Sequence, residues 1–289
     1  MSEIYELHEC PDLGEPTLII GLQGWVDSGL VAHTAITSMI ESSETVTVAT
    51  FDADALLDHR ARRPTLRLVD GITTELIWPT IEMKAGFDEN GQAVLFLVGD
   101  EPDHQWRRFS KAVIAIADQF NVNYLVSLGA YPTAMPHTRP ASVIATSTQQ
   151  RFLTQIGSIE GRIEVPAGVS SAIEYEAGQQ GIEAFSLWAQ VPHYASNLSF
   201  PAGSVALIEK IREHTGLEFP VGKLIESSIE AKQHIDALIE NNPEHADIVR
   251  QLEEQYDEQQ ALLNRIDPED GAELVAELEQ FLREQGDGK

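Results

Sequence analysis

The chain has 289 residues, and 46 acidic against 19 basic side chains give it a formal net charge of -27. Such acidity repels nucleic-acid backbones and anionic lipid surfaces, and the densest cationic run, between Arg60 and Arg67, is flanked by aspartates. We therefore expect neither nucleic acid nor membrane as a partner. Cys10 is the only cysteine, so no intrachain disulfide can form. The sequence has no secretory signal and no membrane-spanning apolar run, so we expect a cytoplasmic protein.

The first two thirds of the chain alternate between short apolar runs and helical patterns. In chain order these predict a strand at 17–22, a helix beginning near Ser28, a strand at 45–51, a hairpin at 67–76, a second hairpin turning at 88–91, a helix at 107–120, strands at 124–130 and 142–148, a helix at 170–180 and a strand at 182–191. The alternation predicts a three-layer α/β/α sandwich with a mainly parallel sheet and antiparallel additions.

The last part of the chain has a different character. Residues 205–289 contain 21 acidic and 8 basic side chains, so much of the negative charge lies there. Amphipathic patterns predict helices at 221–242, from Pro243 onward, and from about Pro268 onward. We expect an α/β/α domain over 1–200 and an acidic helical C-terminal region over 201–289, which packs on the domain or on another subunit.

Common catalytic and nucleotide-binding motifs are absent from the sequence. The glycines at 216 and 222 are too far apart for a phosphate loop, and no GxGxxG, GxSxG or HExxH segment occurs. No cofactor is therefore expected, and the sequence favours an interaction role over catalysis.

Four segments that follow predicted strands carry the candidate site residues. In a parallel sheet their positions meet at one edge, where ligands collect in α/β folds. A shared pocket would be formed by Trp25, Asp27, Ser28, His137, Arg139 and His193. Each position also has a structural interpretation: Asp27 or Ser28 as a helix cap, Arg139 as an ion-pair partner, and the histidines as surface residues.

One of these four segments, GDEPDHQWRRF, also offers an oxygen-rich cation site. Its candidate ligands are Asp100, Glu101, Asp103 and His104. The same residues are equally typical of a turn and a helix start. The sequence therefore favours no metal and keeps this site as a weak alternative.

Four motifs, in this order, resemble the actinobacterial branch of the proteasome assembly chaperone two (PAC2) family: GWVDSG, LVGDEPDHQWRRF, LGAYPTAMPHTRP and SLWAQVPHY. The resemblance implies a phosphorylase/hydrolase-like α/β/α fold with a mixed sheet and a C-terminal helical appendage, assembled as a trimer. It implies a role in protein interaction or assembly. The alternative is a small-molecule binding protein or enzyme, for a nucleoside-like or phosphate-bearing ligand, with its pocket at the strand C-terminal ends.

Overall fold

The computed structural model describes residues 4–24, 26–159, 161–240 and 243–263. One sheet contains eight strands in the order β1-β3-β6-β7-β2-β8-β10-β9, and β4 and β5 form a separate hairpin. The strands are β1 (Tyr5–Leu7), β2 (Thr17–Gln23), β3 (Val46–Phe51), β4 (Thr65–Val69), β5 (Ile72–Ile77), β6 (Ile81–Phe87), β7 (Ala93–Asp100), β8 (Tyr124–Thr133), β9 (Val143–Ser147) and β10 (Glu183–Pro192). The helices are α1 (Val31–Ser42), α2 (Ala53–Leu56), α3 (Trp106–Gln119), α4 (Gln150–Ile156), α5 (Val169–Gln179), α6 (Pro201–Thr215), α7 (Gly222–Glu240) and α8 (Pro243–Leu263).

The sheet is parallel at its centre and antiparallel toward both edges. Strands β7, β2, β8 and β10 pair in parallel, whereas β6, β3 and β1 extend one side and β9 the other through antiparallel pairings. Both predicted hairpins form, as β4–β5 and β6–β7. The predicted βαβ unit has parallel strands, but β6 and β7 lie between β2 and β3.

Alternating side chains of the central strands enter two cores on opposite faces of the sheet. Ile19 of β2 joins the core beneath α1, α6 and α7, whereas Leu18 and Ile20 join the core beneath α3 and α5. Continuous apolar strands of this kind are typical of parallel strands covered on both faces. The prediction of an α/β/α sandwich with C-terminal helices is confirmed.

Helix α6 begins at the predicted domain boundary but packs within the sandwich. Its Leu207, Ile208 and Ile211 are buried in the same core as α1. Leu224 and Ile235 of α7 extend that core further. The division at residue 200 stays a prediction, and the third predicted C-terminal helix lies outside the described residues. Within the described ranges, no helix is long and apolar enough to cross a membrane.

Candidate functional site

The loops that follow β2, β8 and β10 are connected to one another by backbone hydrogen bonds. The amide of Gly29 donates to the carbonyl of Ser196 at 2.8 Å, and the amide of Phe200 donates back to Gly29 at 3.0 Å. Asp27 forms a parallel β-bridge with Ala130 near the end of β8. The sheet topology thus brings these predicted segments together at the C-terminal edge of the parallel strands.

Asp27 caps α1 across a short 3₁₀ turn that spans Ser28–Leu30. Its two carboxylate oxygens accept the amides of Ala32 at 2.7 Å and His33 at 2.9 Å. Burial raises the pKa of Asp27, although these amide donors oppose that effect. Ser28 is the first residue of this 3₁₀ turn, and Trp25 lies outside the described residues.

His137 lies in a buried hydrogen-bond chain between the α/β domain and α7. Nδ1 is 2.8 Å from the Tyr194 hydroxyl, and Nε2 is 2.8 Å from a carboxylate oxygen of Asp236. The Tyr194 oxygen also accepts the His137 backbone amide. All three groups are satisfied when the hydroxyl donates to Nδ1 and Nε2–H donates to Asp236.

The ionisation of both partners of His137 is shifted. Burial raises the pKa of Tyr194 to about 12. Partial burial opposes ionisation of Asp236, but hydrogen bonds from Lys232 and His137 outweigh it and lower the pKa of Asp236. The chain is therefore a neutral tyrosine, an imidazole and a carboxylate, aligned between two parts of the molecule.

Arg139 and Thr138 contact the next helix, α8. Arg139 makes a bidentate pair with Asp257 and also lies 3.3 Å from Glu253. The hydroxyl of Thr138 donates to Glu253. Three consecutive residues of one proline-rich loop thus bind acidic side chains of the C-terminal helices, which is the structural interpretation of Arg139.

His193 is exposed, and its Nδ1 lies 3.2 Å from the carbonyl oxygen of Thr133. Its ring packs edge-on against Tyr194. It borders neither of two clefts at this edge of the sheet: His137 and Arg139 line one of about 220 Å³, and Asp27 lines another of about 310 Å³. The predicted residues therefore do not line one shared cleft: Asp27 lines one, and His137 and Arg139 line the other.

The acidic side chains at the end of β7 and in the loop after it bind other residues of the same chain. Arg62 pairs with Asp100 at 3.3 Å and with Asp103. Glu101 accepts the amide of Val169 at the start of α5. Among the described residues, no group of three or more His, Cys, Asp or Glu side chains is arranged to hold a metal ion. The arrangement supports the turn-and-helix-start interpretation of this loop.

The hydrogen-bond partners of these residues are not predictable from local sequence patterns. In the sequence, Tyr194 stands out only because it follows His193. The acidic partners lie on C-terminal helices whose solvated faces carry many carboxylates: Asp236, Glu253 and Asp257. Glu174 accepts hydrogen bonds from Ser186 and Thr146 in a second network. No sequence motif predicts this network.

Comparison with solved structures finds several similar proteins. A Mycobacterium tuberculosis protein of unknown function is 33% identical, with 92% of each chain covered and a TM-score of 0.84. A proteasome-assembly chaperone homologue from the same organism is 30% identical, with 81% of this chain and 99% of that chain covered and a TM-score of 0.75. PbaB, an archaeal proteasome activator from Pyrococcus furiosus, shares the fold at 15% identity, 81% and 97% coverage and a TM-score of 0.63.

A search among curated proteins finds no significant match. The model of the PAC2 family matches residues 21–239, which include the four motifs, strands β3 to β10 and most of α7. The chain therefore belongs to the PAC2 family.

Proposed function

We propose that this protein is a homo-oligomeric assembly factor whose copies associate through the hairpin β4–β5. The observation that carries the proposal is the exposure of this hairpin. Every residue of both strands is exposed, and none belongs to either core. A two-stranded hairpin is marginally stable alone in water, so a partner surface would stabilise it.

The hairpin presents large apolar side chains to solvent on both strands. Leu66 is 50%, Leu68 54% and Ile72 69% exposed. Contiguous apolar surface of this kind marks an interaction site in a folded protein. Unpaired strand edges beside it offer backbone hydrogen bonds to the same partner.

Charge favours a second copy of this chain as that partner. Arg60 and Arg63 are exposed at the base of the hairpin, within the densest cationic run of the sequence. The chain as a whole has a net charge of -27, so these two arginines of one copy can pair with carboxylates of another. A trimer is the expected assembly, following the family resemblance.

The test compares two charge-balanced double variants by sedimentation velocity. Leu66 and Leu76 are register partners, so Leu66→Lys with Leu76→Glu removes apolar surface while placing an ion pair across the hairpin. Ile225→Glu with Ile229→Lys is the control, on similarly exposed residues of α7. We expect a trimeric wild type and control and a monomeric hairpin variant. A monomeric wild type at micromolar concentration, or a hairpin variant of unchanged mass, would contradict the proposal.

The assembly role is supported by membership of the PAC2 family and by the 30% identical proteasome-assembly chaperone homologue. It predicts faster formation of proteasome particles from purified subunits of the same organism when this protein is added. The monomeric hairpin variant should accelerate assembly less. Equal rates with and without the wild-type protein would reject this role while leaving the oligomer intact.

A further inference from the structure

The cleft beside Asp27 opens where two neighbouring parallel strands separate. The ladder between β2 and β8 ends at Ile20 and Ser127. On its other side, β2 stays paired with β7 as far as Gln23. The backbone of Gly21 to Gln23 therefore has no strand partner on the side that faces β8, and the opening has a volume of about 310 Å³.

The chain topology places this cleft at a switch point of the sheet. From β2 the chain passes through α1 to β3 on one side, whereas from β8 it continues to β9 and β10 on the other side. Crevices at the carboxyl ends of strands whose connections diverge in this way are where α/β sheets bind ligands.

The lining of the cleft is mostly apolar and contains the carboxylate of Asp27. Its apolar walls come from Leu22, Val26, Leu30, Ala32 and Leu128, and its polar side chains are Gln23, Asp27 and His33. No lysine or arginine is among the described lining residues. Gln23 Nε2 lies 3.0 Å from His33 Nδ1, so one N–H of this amide group is engaged within the protein.

Leu30 lies at this cleft in a strained conformation. Its φ of 54° is in the left-handed region, which is unfavourable for a leucine, and its side chain is 57% exposed. Strained residues of this kind persist where the surrounding structure fixes them, and they cluster at ligand sites. An exposed apolar side chain held at an apolar cleft is suited to cover a bound molecule.

We infer that this cleft binds a small organic amine with an apolar body, its ammonium group against Asp27 and its apolar body between Leu30 and Leu128. The Asp27 carboxylate accepts the amides of Ala32 and His33 and interacts with that of Val31, which leaves acceptor capacity on its two oxygens for one further donor. The protein's net negative charge favours a cation over an anion. Burial removes water from the Asp27 carboxylate and raises its pKa. A hydrogen bond from an ammonium group would replace part of this lost hydration.

The experiment uses benzylamine as the probe, with benzyl alcohol and benzoate as its neutral and anionic counterparts. Binding to the full-length protein is followed by chemical-shift changes of backbone amides in NMR spectra. We expect benzylamine to shift the amides of Gly21, Gly24 and Leu128, and benzoate to shift none of them. Equal binding of all three probes, shifts confined to other regions, or no binding of the amine would overturn the inference.

Two isosteric variants give the matched comparison. Asp27→Asn retains an oxygen that can cap α1 but removes the charge, and should weaken benzylamine binding at least ~10-fold, the loss expected for one charge-assisted hydrogen bond. Asp52→Asn makes the same change at the cap of α2, where Asp52 accepts the amide of Ala55, and should leave binding unchanged. Equal affinities of the two variants would overturn the assignment to Asp27. The result is independent of oligomeric state, so it can succeed or fail separately from the proposed function.

Discussion

Arg139 donates two hydrogen bonds to the carboxylate of Asp257, at 2.8 Å from Nε and 2.6 Å from a terminal nitrogen. The two residues are 118 positions apart, on the loop after β8 and on α8. The hydrogen bonds with Arg139 lower the pKa of Asp257. A bidentate guanidinium–carboxylate pair has a defined geometry, so it fixes the position of α8 as well as attracting it.

The two C-terminal helices are attached in different ways. Leu224 and Ile235 of α7 belong to the main core, whereas the buried Val249 and Leu252 of α8 belong to neither core cluster. Among the hydrogen bonds and ion pairs of the described residues, those between α8 and the α/β domain are made by the side chains of Thr138 and Arg139. Docking of α8 should therefore depend on charge more than docking of α7 does.

Arg139→Gln is expected to loosen α8 while leaving α7 and the sheet protected. Glutamine cannot make the bidentate pair, so the amides of residues 246–263 should exchange with deuterium faster. Hydrogen exchange with mass spectrometry measures this. Arg151→Gln, which removes the exposed pair with Glu183, is the control and should not change exchange in α8. Unchanged protection of α8 in Arg139→Gln would show that apolar contacts with α7 suffice to hold it.

His137→Ala should destabilise the protein by ~1–3 kcal/mol, because Tyr194 and Asp236 would each lose a partner in a part-buried site. His193→Ala is the matched control, since that imidazole is exposed and its loss should change stability by no more than ~0.5 kcal/mol. Urea unfolding of both variants measures the difference. If both lose the same stability, the buried chain contributes nothing specific.

Local sequence patterns predicted most elements of this fold, but not β1, α2, α4 or α6. Asp70-Gly71 set the β4–β5 turn, with positive φ at both residues, as a tight hairpin turn requires. Strand neighbours were not predictable in the same way. The insertion of β6 and β7 between β2 and β3 depends on contacts distant in sequence, which periodicity does not encode.

The candidate site was predicted in part, for the same reason. Pro136 and Pro140 restrict the backbone around His137 and Arg139, and the loop holds both residues in defined contacts. Their acidic partners lie 99 and 118 positions away, on helices whose many carboxylates are indistinguishable in sequence. The split between the clefts beside Asp27 and His137 arises from three-dimensional packing alone.

Glu174→Gln is expected to stabilise the protein at neutral and alkaline pH. Burial raises the pKa of Glu174, although hydroxyl donors from Ser186 and Thr146 oppose the shift. A raised folded-state pKa means that this group's contribution is full below its unfolded pKa and is lost as pH rises through the folded value. Glutamine keeps an oxygen for both hydroxyls and does not ionise, so its advantage should appear as pH rises and vanish in acid.

Thermal unfolding from pH 4 to pH 8 measures this advantage, at ~2–4 °C in Tm for each 1 kcal/mol gained. Glu176→Gln is the control, two residues along α5 and less buried. A pH-independent gain, or the same gain in both variants, would show that the burial of the Glu174 charge is not the cause.

Gly99→Ala should destabilise the protein by at least ~2 kcal/mol, because two costs combine at the end of β7. Gly99 has a φ of 122°, which a residue with a side chain rarely adopts, and an added Cβ would lie 2.1 Å from the Thr80 carbonyl oxygen. That oxygen belongs to the backbone leading into β6, whose first residue, Ile81, pairs with Gly99. The backbone would have to move and the β6–β7 pairing would weaken. Gly222→Ala, at a position with no atom within 4 Å and no positive φ, should be neutral or slightly stabilising. Equal urea midpoints for the two variants would mean that the β6–β7 hairpin relaxes around the added methyl group without cost.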